Sequence, residues 1–180
     1  MRTITNFVFR IFSILALFAL LFGNLGTIPS ARAAAANLEW TWVDGANIRN
    51  QPGVYGTEDV PGANNVPGAR YSSVSWTDAN GNLWLFGGYG YSVSATATGD
   101  LNDLWMFDPA SGQWTWVDGA TTIDQPGVYG TEDLPAAANV PGARDDSVSW
   151  MDPNGNLWLF GGIGYDGSGI PGQLNDLWKF

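Results

Sequence analysis

"NGNLWLFGG" stands at residues 80–88 and again, letter for letter, at residues 154–162. A catalytic motif has little use for an identical second copy. A structural unit that stacks on its own copy does. Working outward from this stretch, residues 40–91 align with 114–165 without a gap, and 40 of the 52 positions are identical. "LNDLWMF" at 101–107 returns as "LNDLWKF" at 174–180, now at an offset of 73. One residue is therefore lost in the loop between the two blocks.

Each unit reads as a run of short strands. "SVSWTD" (73–78) alternates small polar residues with Val74 and Trp76. Asn80-Gly81 is a tight-turn signal. "NLWLFGG" is a continuous apolar run of strand length, so it is expected to bury both faces, Leu83 and Leu85 on one and Trp84 and Phe86 on the other. A variable loop is expected over 89–99, then a strand in "LNDLWMFD", a turn in "PASG" and a last strand in "QWTWVDG" (113–119). Beyond the leader, no segment has a clear helical period. Four short antiparallel strands per unit, stacked unit on unit, describe a propeller blade.

A hydrophobic run ending in Gly-Gly, a variable loop, "LNDLW" and then a Trp-bearing strand resemble the kelch repeat. The pattern is similar to bacterial kelch proteins related to the central domain of galactose oxidase, and covers most of residues 38–180. The resemblance implies an all-β fold of kelch-type β-propeller blades: about two four-stranded antiparallel blades in an incomplete propeller. It also implies that Gly87, Gly88, Trp105 and Trp114, with Gly161, Gly162 and Trp178, are the structural motif. The glycines are expected to pass where a side chain would collide, and the tryptophans to pack between blades. A carbohydrate platform made of strand tryptophans is disfavoured, because alternation turns them inward. The period departs from the kelch pattern, which runs to about 50 residues. The excess lies in residues 44–69 and their copy, 118–143.

The expected phase is a fourth strand at 38–43, a complete blade at 70–118 and a three-stranded blade at 144–180. Two blades cannot close a ring, which takes about four to eight. Either the chain is part of a longer propeller, or several copies assemble head to tail, three of them giving six blades.

The chain opens with Arg2 and Arg10, continues with a short apolar run to Phe22 and reaches Ala31-Arg32-Ala33. This order is that of a secretory signal, expected over residues 1–33, with an uncleaved anchor as the alternative. The run is too short to span a bilayer core of about 30 Å. The expected location is secreted, cell-surface or periplasmic. Removal of the signal takes three of the seven basic residues and none of the 17 acidic ones, so the net charge goes from −10 to −13. Such a surface repels nucleic acid. All ten tryptophans remain in residues 34–180, and there is no cysteine. Stability must come from burial without disulfides.

The long connections follow the second and fourth strands, so they are expected on one end of the blades, the best place for binding. Their repeated polar and aromatic residues are Tyr55, Glu58 and Asp59 with Tyr129, Glu132 and Asp133. These are candidate ligand contacts, weighed against a rigid Gly/Pro loop that packs on a neighbouring blade. Arg70 with Asp103, and Arg144 with Asp176, are expected to clamp each blade. "DANGN" (78–82) and "DPNGN" (152–156) carry oxygen ligands at alternate positions, but the glycine stands fourth, not sixth, as a calcium loop requires. They read as hairpin turns. "GVYGT" lacks the lysine and helix of a phosphate loop.

The chain has no histidine and no cysteine. That excludes Ser-His-Asp and Cys-His catalysis and His/Cys zinc or copper sites, including the copper centre of galactose oxidase. Carboxylate-only glycoside hydrolysis is the remaining catalytic route, and the geometry of Glu58-Asp59 and Glu132-Asp133 cannot be read from sequence. No enzyme activity, cofactor or metal is expected. Two readings stand: a secreted module that binds a protein or a glycan, and a non-catalytic structural segment of a larger extracellular propeller.

Overall fold

The computed structural model describes residues 39–180; the leader expected over 1–33 lies outside them. Among the described residues there is no helix. Nine strands run in order: β1 (Arg70–Tyr71), β2 (Val74–Thr77), β3 (Leu83–Tyr91), β4 (Thr98–Asp108), β5 (Gln113–Asp118), β6 (Arg144–Asp145), β7 (Val148–Met151), β8 (Leu157–Tyr165) and β9 (Pro171–Lys179). They form two antiparallel sheets within the compact unit Trp42–Phe180. In the first, β1 and β2 share one edge of β3, followed by β4 and β5. In the second, β6 and β7 share one edge of β8, and β9 lies on the other. The chain is all-β, built as adjacent blades of an incomplete propeller.

The Gly-Gly pair breaks the first strand in two. Ser72 has a left-handed φ of 54°, and the β3–β4 register shifts between Phe86 and Gly88. Gly87 has φ 61°, and a Cβ there would stand 2.7 Å from the Arg144 carbonyl oxygen of the second sheet. Glycine at this point lets one blade's backbone cross close to the next.

The blades meet through one face each. Val74, Trp76, Phe86 and Leu104 of the first pack with Leu157 and Leu159 of the second. Trp76 Nε1 donates to the carbonyls of Trp150 and Trp158 at 3.1 and 3.3 Å. Trp84 lies 5.8 Å from the Phe180 ring. The second blade's backbone also donates to the first, from Asp146 N to Ser72 O at 3.2 Å.

Three sequence expectations change. Residues 39–43 carry no strand. Trp42 is exposed, and its indole donates to Asp44 O instead. Apolar alternation supplies a face but no ladder partner, and among the described residues none pairs with this stretch. The loop expected over 89–99 shrinks to 92–97, because Tyr89, Gly90 and Tyr91 pair with Asp100, Gly99 and Thr98. The matching loop falls to 166–170. Glycines that resemble a loop in composition are there because β1 crosses closely: a Cβ on Gly90 would stand 2.6 Å from Arg70 Cβ. Finally, "LWLF" buries one face in each copy, not two. Phe86 is buried and Leu83 exposed in the first; Leu157 and Leu159 are buried and Phe160 exposed in the second. Among the described residues each blade has one neighbouring blade, so β3 and β8 are covered best on the faces between them, whereas on the outer side of the first blade Tyr55 and Trp114 cover Trp105 and Phe107 of β4.

Gly87→Ala should lower stability by several kcal/mol, since a strained backbone of about 1–3 kcal/mol is joined by a collision across the blade junction. Gly81→Ala, at φ 87° in a turn with nothing near its Cβ, should cost about 1 kcal/mol. Urea midpoints of the two variants check the difference; equal losses would remove the close-approach role of Gly87.

Candidate functional site

The residues singled out in the sequence fall into a buried clamp and an exposed turn. The clamp is centred on Asp103 of β4, which is fully buried. Arg70 of β1 grips it with both terminal guanidinium nitrogens, at 2.5 and 2.7 Å. The Tyr55 hydroxyl and Trp105 Nε1 each donate to Asp103 Oδ2 at 2.7 Å. Arg70 also donates to the carbonyls of Gly87 and Gly68. The Tyr55 ring packs against Trp105 and Trp116, with centroids 4.8 and 5.5 Å apart. Burial, then the charge of Asp103 beside it, pushes the Tyr55 phenol far up. Burial opposes the Arg70 charge, but Asp103 and Tyr55 outweigh it and raise its pKa.

The second copy repeats the arrangement. Arg144 donates twice to Asp176, at 2.6 and 2.8 Å, and Tyr129 and Trp178 add bonds of 2.6 and 2.7 Å. Burial alone would raise the Asp176 carboxyl, but these donors hold it at about 2. Burial and the adjacent Asp176 raise Tyr129 to about 12. The Arg–Asp pairs expected in each blade therefore form. Tyr55 and Tyr129, candidate ligand contacts by sequence, instead spend their hydroxyls on the clamp, because a buried carboxylate needs every donor within reach.

Glu58, Asp59, Glu132 and Asp133 lie in exposed turns closed by Val60 N to Thr57 O and Leu134 N to Thr131 O. The first turn lies along the free edge of β5, where Asp59 N and Gly62 N donate to the carbonyls of Trp116 and Trp114 at 2.9 and 3.2 Å. Asp59 and Pro61 thereby form one wall of an open groove of about 440 Å³ that includes Trp84, Met106, Gln113 and Thr115. Each carboxylate pair stays with its own repeat. The two "NGN" turns are hairpins: Asp78 and Asp152 spend both carboxylate oxygens on the backbone and side chains of their own turns and on Trp84 and Trp158. Among the described residues, no cluster of three His, Cys, Asp or Glu could hold a metal ion.

A second feature lies at the other end of the strands, where the long connections gather. Gly53 N bonds Ser92 O, Val93 N bonds Thr121 O, and Gly127 N bonds Asp166 O. At the seam between the blades, Asp100 N donates to Asp124 Oδ1 at 2.9 Å, and Asp124 N to Asp100 O at 2.8 Å. Burial, then the charges of Asp145 and Asp124, pushes the Asp100 carboxyl up to about 6. Beside this acidic group, Tyr71 and Tyr89 pair their rings at 5.5 Å, and Tyr71 is exposed. Sequence reasoning missed this set because it followed the identities between repeats. The signal was in the differences: Asp124 and Asp145 stand where the first copy has Asn50 and Tyr71.

No protein-family model and no curated protein matches the chain. Among solved structures the chain is similar to YjhT, at 21% sequence identity over 57% of this chain and 23% of that one, with a TM-score of 0.40.

Two outcomes are expected. Asp103→Asn should cost about 3–5 kcal/mol by leaving Arg70 buried and unpaired, and the more open Asp176→Asn should cost less; urea unfolding of each variant checks the order. Asp100 has a raised pKa, so its contribution to stability is complete below the ordinary carboxylate value of about 4 and lost as pH rises through about 6. Asp100→Asn should therefore raise the melting temperature at pH 7.5 by about 2–4 °C and have little effect at pH 4, as thermal melts at the two values would show.

Proposed function

We propose that the chain is a secreted kelch-repeat module that binds a protein or a glycan through the end of the blades where its long connections gather. The observation that carries this reading is the asymmetry of the two ends. At one end, the 92–97 and 166–170 loops are fastened to the insertions by backbone hydrogen bonds. At the other end the strands are joined by tight turns at 78–82, 108–112 and 152–156, and of the first insertion the 57–62 turn reaches down along the β5 edge. A surface fixed by its own backbone is preorganised, which lowers the ordering cost of binding. The rings of Tyr71 and Tyr89, tilted 37° to each other, offer an apolar contact, and the Asp100, Asp124 and Asp145 carboxylates offer acceptors to sugar hydroxyls or basic side chains. The Gly-Gly and "LNDLW" motifs support the kelch assignment, and the basic-apolar-small order of residues 1–33 supports export. With no histidine and no cysteine, binding is favoured over catalysis.

The second reading is a structural segment with no ligand. It is favoured by one observation: the tyrosine repeated in both insertions serves the clamp.

A glycan array and a pull-down from the extracellular medium separate the two. Binding that falls at least tenfold with Tyr71→Ala, and holds with Asn80→Ala at the opposite end, is the expected result. Silence in both assays would favour the structural reading, and binding indifferent to Tyr71 would overturn the assignment of the ligand to this end.

A further inference from the structure

We infer that the open face of the second blade docks on the outer face of the first blade of another copy of this chain. The basis is an interface the molecule already contains. Within one chain, Val74, Trp76, Phe86 and Leu104 of the first blade close on Leu157 and Leu159 of the second. The second blade carries the same four residues at the corresponding positions, Val148, Trp150, Phe160 and Leu177, and among the described residues no blade packs on them. They are 57%, 45%, 42% and 55% exposed.

The opposite half of the junction is also duplicated. Leu83 and Leu85 of the first blade correspond to Leu157 and Leu159, and Leu83 is 44% exposed. The carbonyls that receive the Trp76 indole belong to Trp150 and Trp158. Their counterparts, Trp76 and Trp84, are paired across β2 and β3 in the same register as Trp150 and Trp158 across β7 and β8. A second copy therefore presents the acceptor geometry that Trp150 needs.

The long insertion does not obstruct this contact. In the second blade, Tyr129 of residues 118–143 packs against Trp178 while Leu157 and Leu159 of that blade are buried in the junction. The first blade has the same insertion in the same place, with Tyr55 on Trp105. Insertion and junction coexist in one chain and so can coexist between two. Since the two surfaces differ, the contact is heterologous, each copy giving one face and receiving on the other.

The absence of cysteine makes the geometry testable with single-cysteine variants of the full chain. Val148→Cys and Leu83→Cys are purified separately, mixed, and treated with a short bis-maleimide. Cross-linked dimer in the mixture, and none in either variant alone, is the expected result. Cross-linking of Val148→Cys with itself would mean same-face pairing and would overturn the inference. So would the absence of any cross-link, which is also the outcome if further blades, not a second copy, cover this face. Light scattering of the otherwise unmodified chain gives a second readout. A mass of several protomers should fall to one with Val148→Asp, at a position 57% exposed, while the circular dichroism spectrum stays that of the parent chain; a single-protomer mass before the substitution sinks the idea.

Discussion

The buried carboxylate of Asp103 organises the first blade. Four hydrogen bonds reach it, from three different parts of the chain: two from Arg70 on β1, one from Tyr55 in the insertion and one from Trp105 on β4 itself. An ion removed from water must be matched by donors that stay in place, and losing one partner strands the other. Arg70 passes the constraint on. Its remaining contacts hold the carbonyls of Gly68 and Gly87, so the kink that breaks the first strand is fixed by the same guanidinium. That kink allows the close passage of the Arg144 backbone, and Arg144 is the centre of the second clamp. Charge pairing inside one blade and stacking between blades are thus a single continuous arrangement.

Much of this was legible in the residues. The strand "NLWLFGG", its Asn-Gly turn and the "LNDLW" partner fall where alternation and turn chemistry put them, and the Arg–Asp pairing follows from a basic and an acidic residue that recur together. The misses have physical causes. The stretch "GGYGY" reads as a loop by composition, but its glycines are required by a crossing strand, which only the ladder reveals. Residues 39–43 have the alternation of a strand but, among the described residues, no strand to bond. Tyr55 looked free because a repeated tyrosine in a Gly/Pro loop gives no hint that a carboxylate 48 residues later will claim its hydroxyl.

The candidate binding end was half legible. Its position followed from loop lengths, whereas its chemistry came from the places where the copies disagree. Keeping the clamp requires identical letters at its Tyr, Arg, Asp and Trp positions. The seam between blades is under no such demand, so Asp124 and Asp145 could replace Asn50 and Tyr71 there and gather around Asp100. The raised Asp100 carboxyl marks a spot where like charges are held together at a cost to the fold.

The turn that seals β5 has a consequence for the order in which the chain assembles. Residues 59–62 are synthesised before the blade they close, yet their bonds are to Trp114 and Trp116 on its last strand. Contacts across such a separation carry a loop-closure penalty that local hairpins do not. The β2–β3, β3–β4 and β4–β5 hairpins can form as they emerge, and Gly53 and Tyr55 of the insertion can bond Ser92 and Asp103 before the blade is finished, but the 59–62 turn has nothing to grip until the fourth strand is complete. It is the last part of the blade to lock. The 74-residue period is therefore the smallest piece that carries both a blade and its own latch, and a unit cut to the strands alone, 70–118, would leave Asp103 without Tyr55 and the β5 edge without its cover.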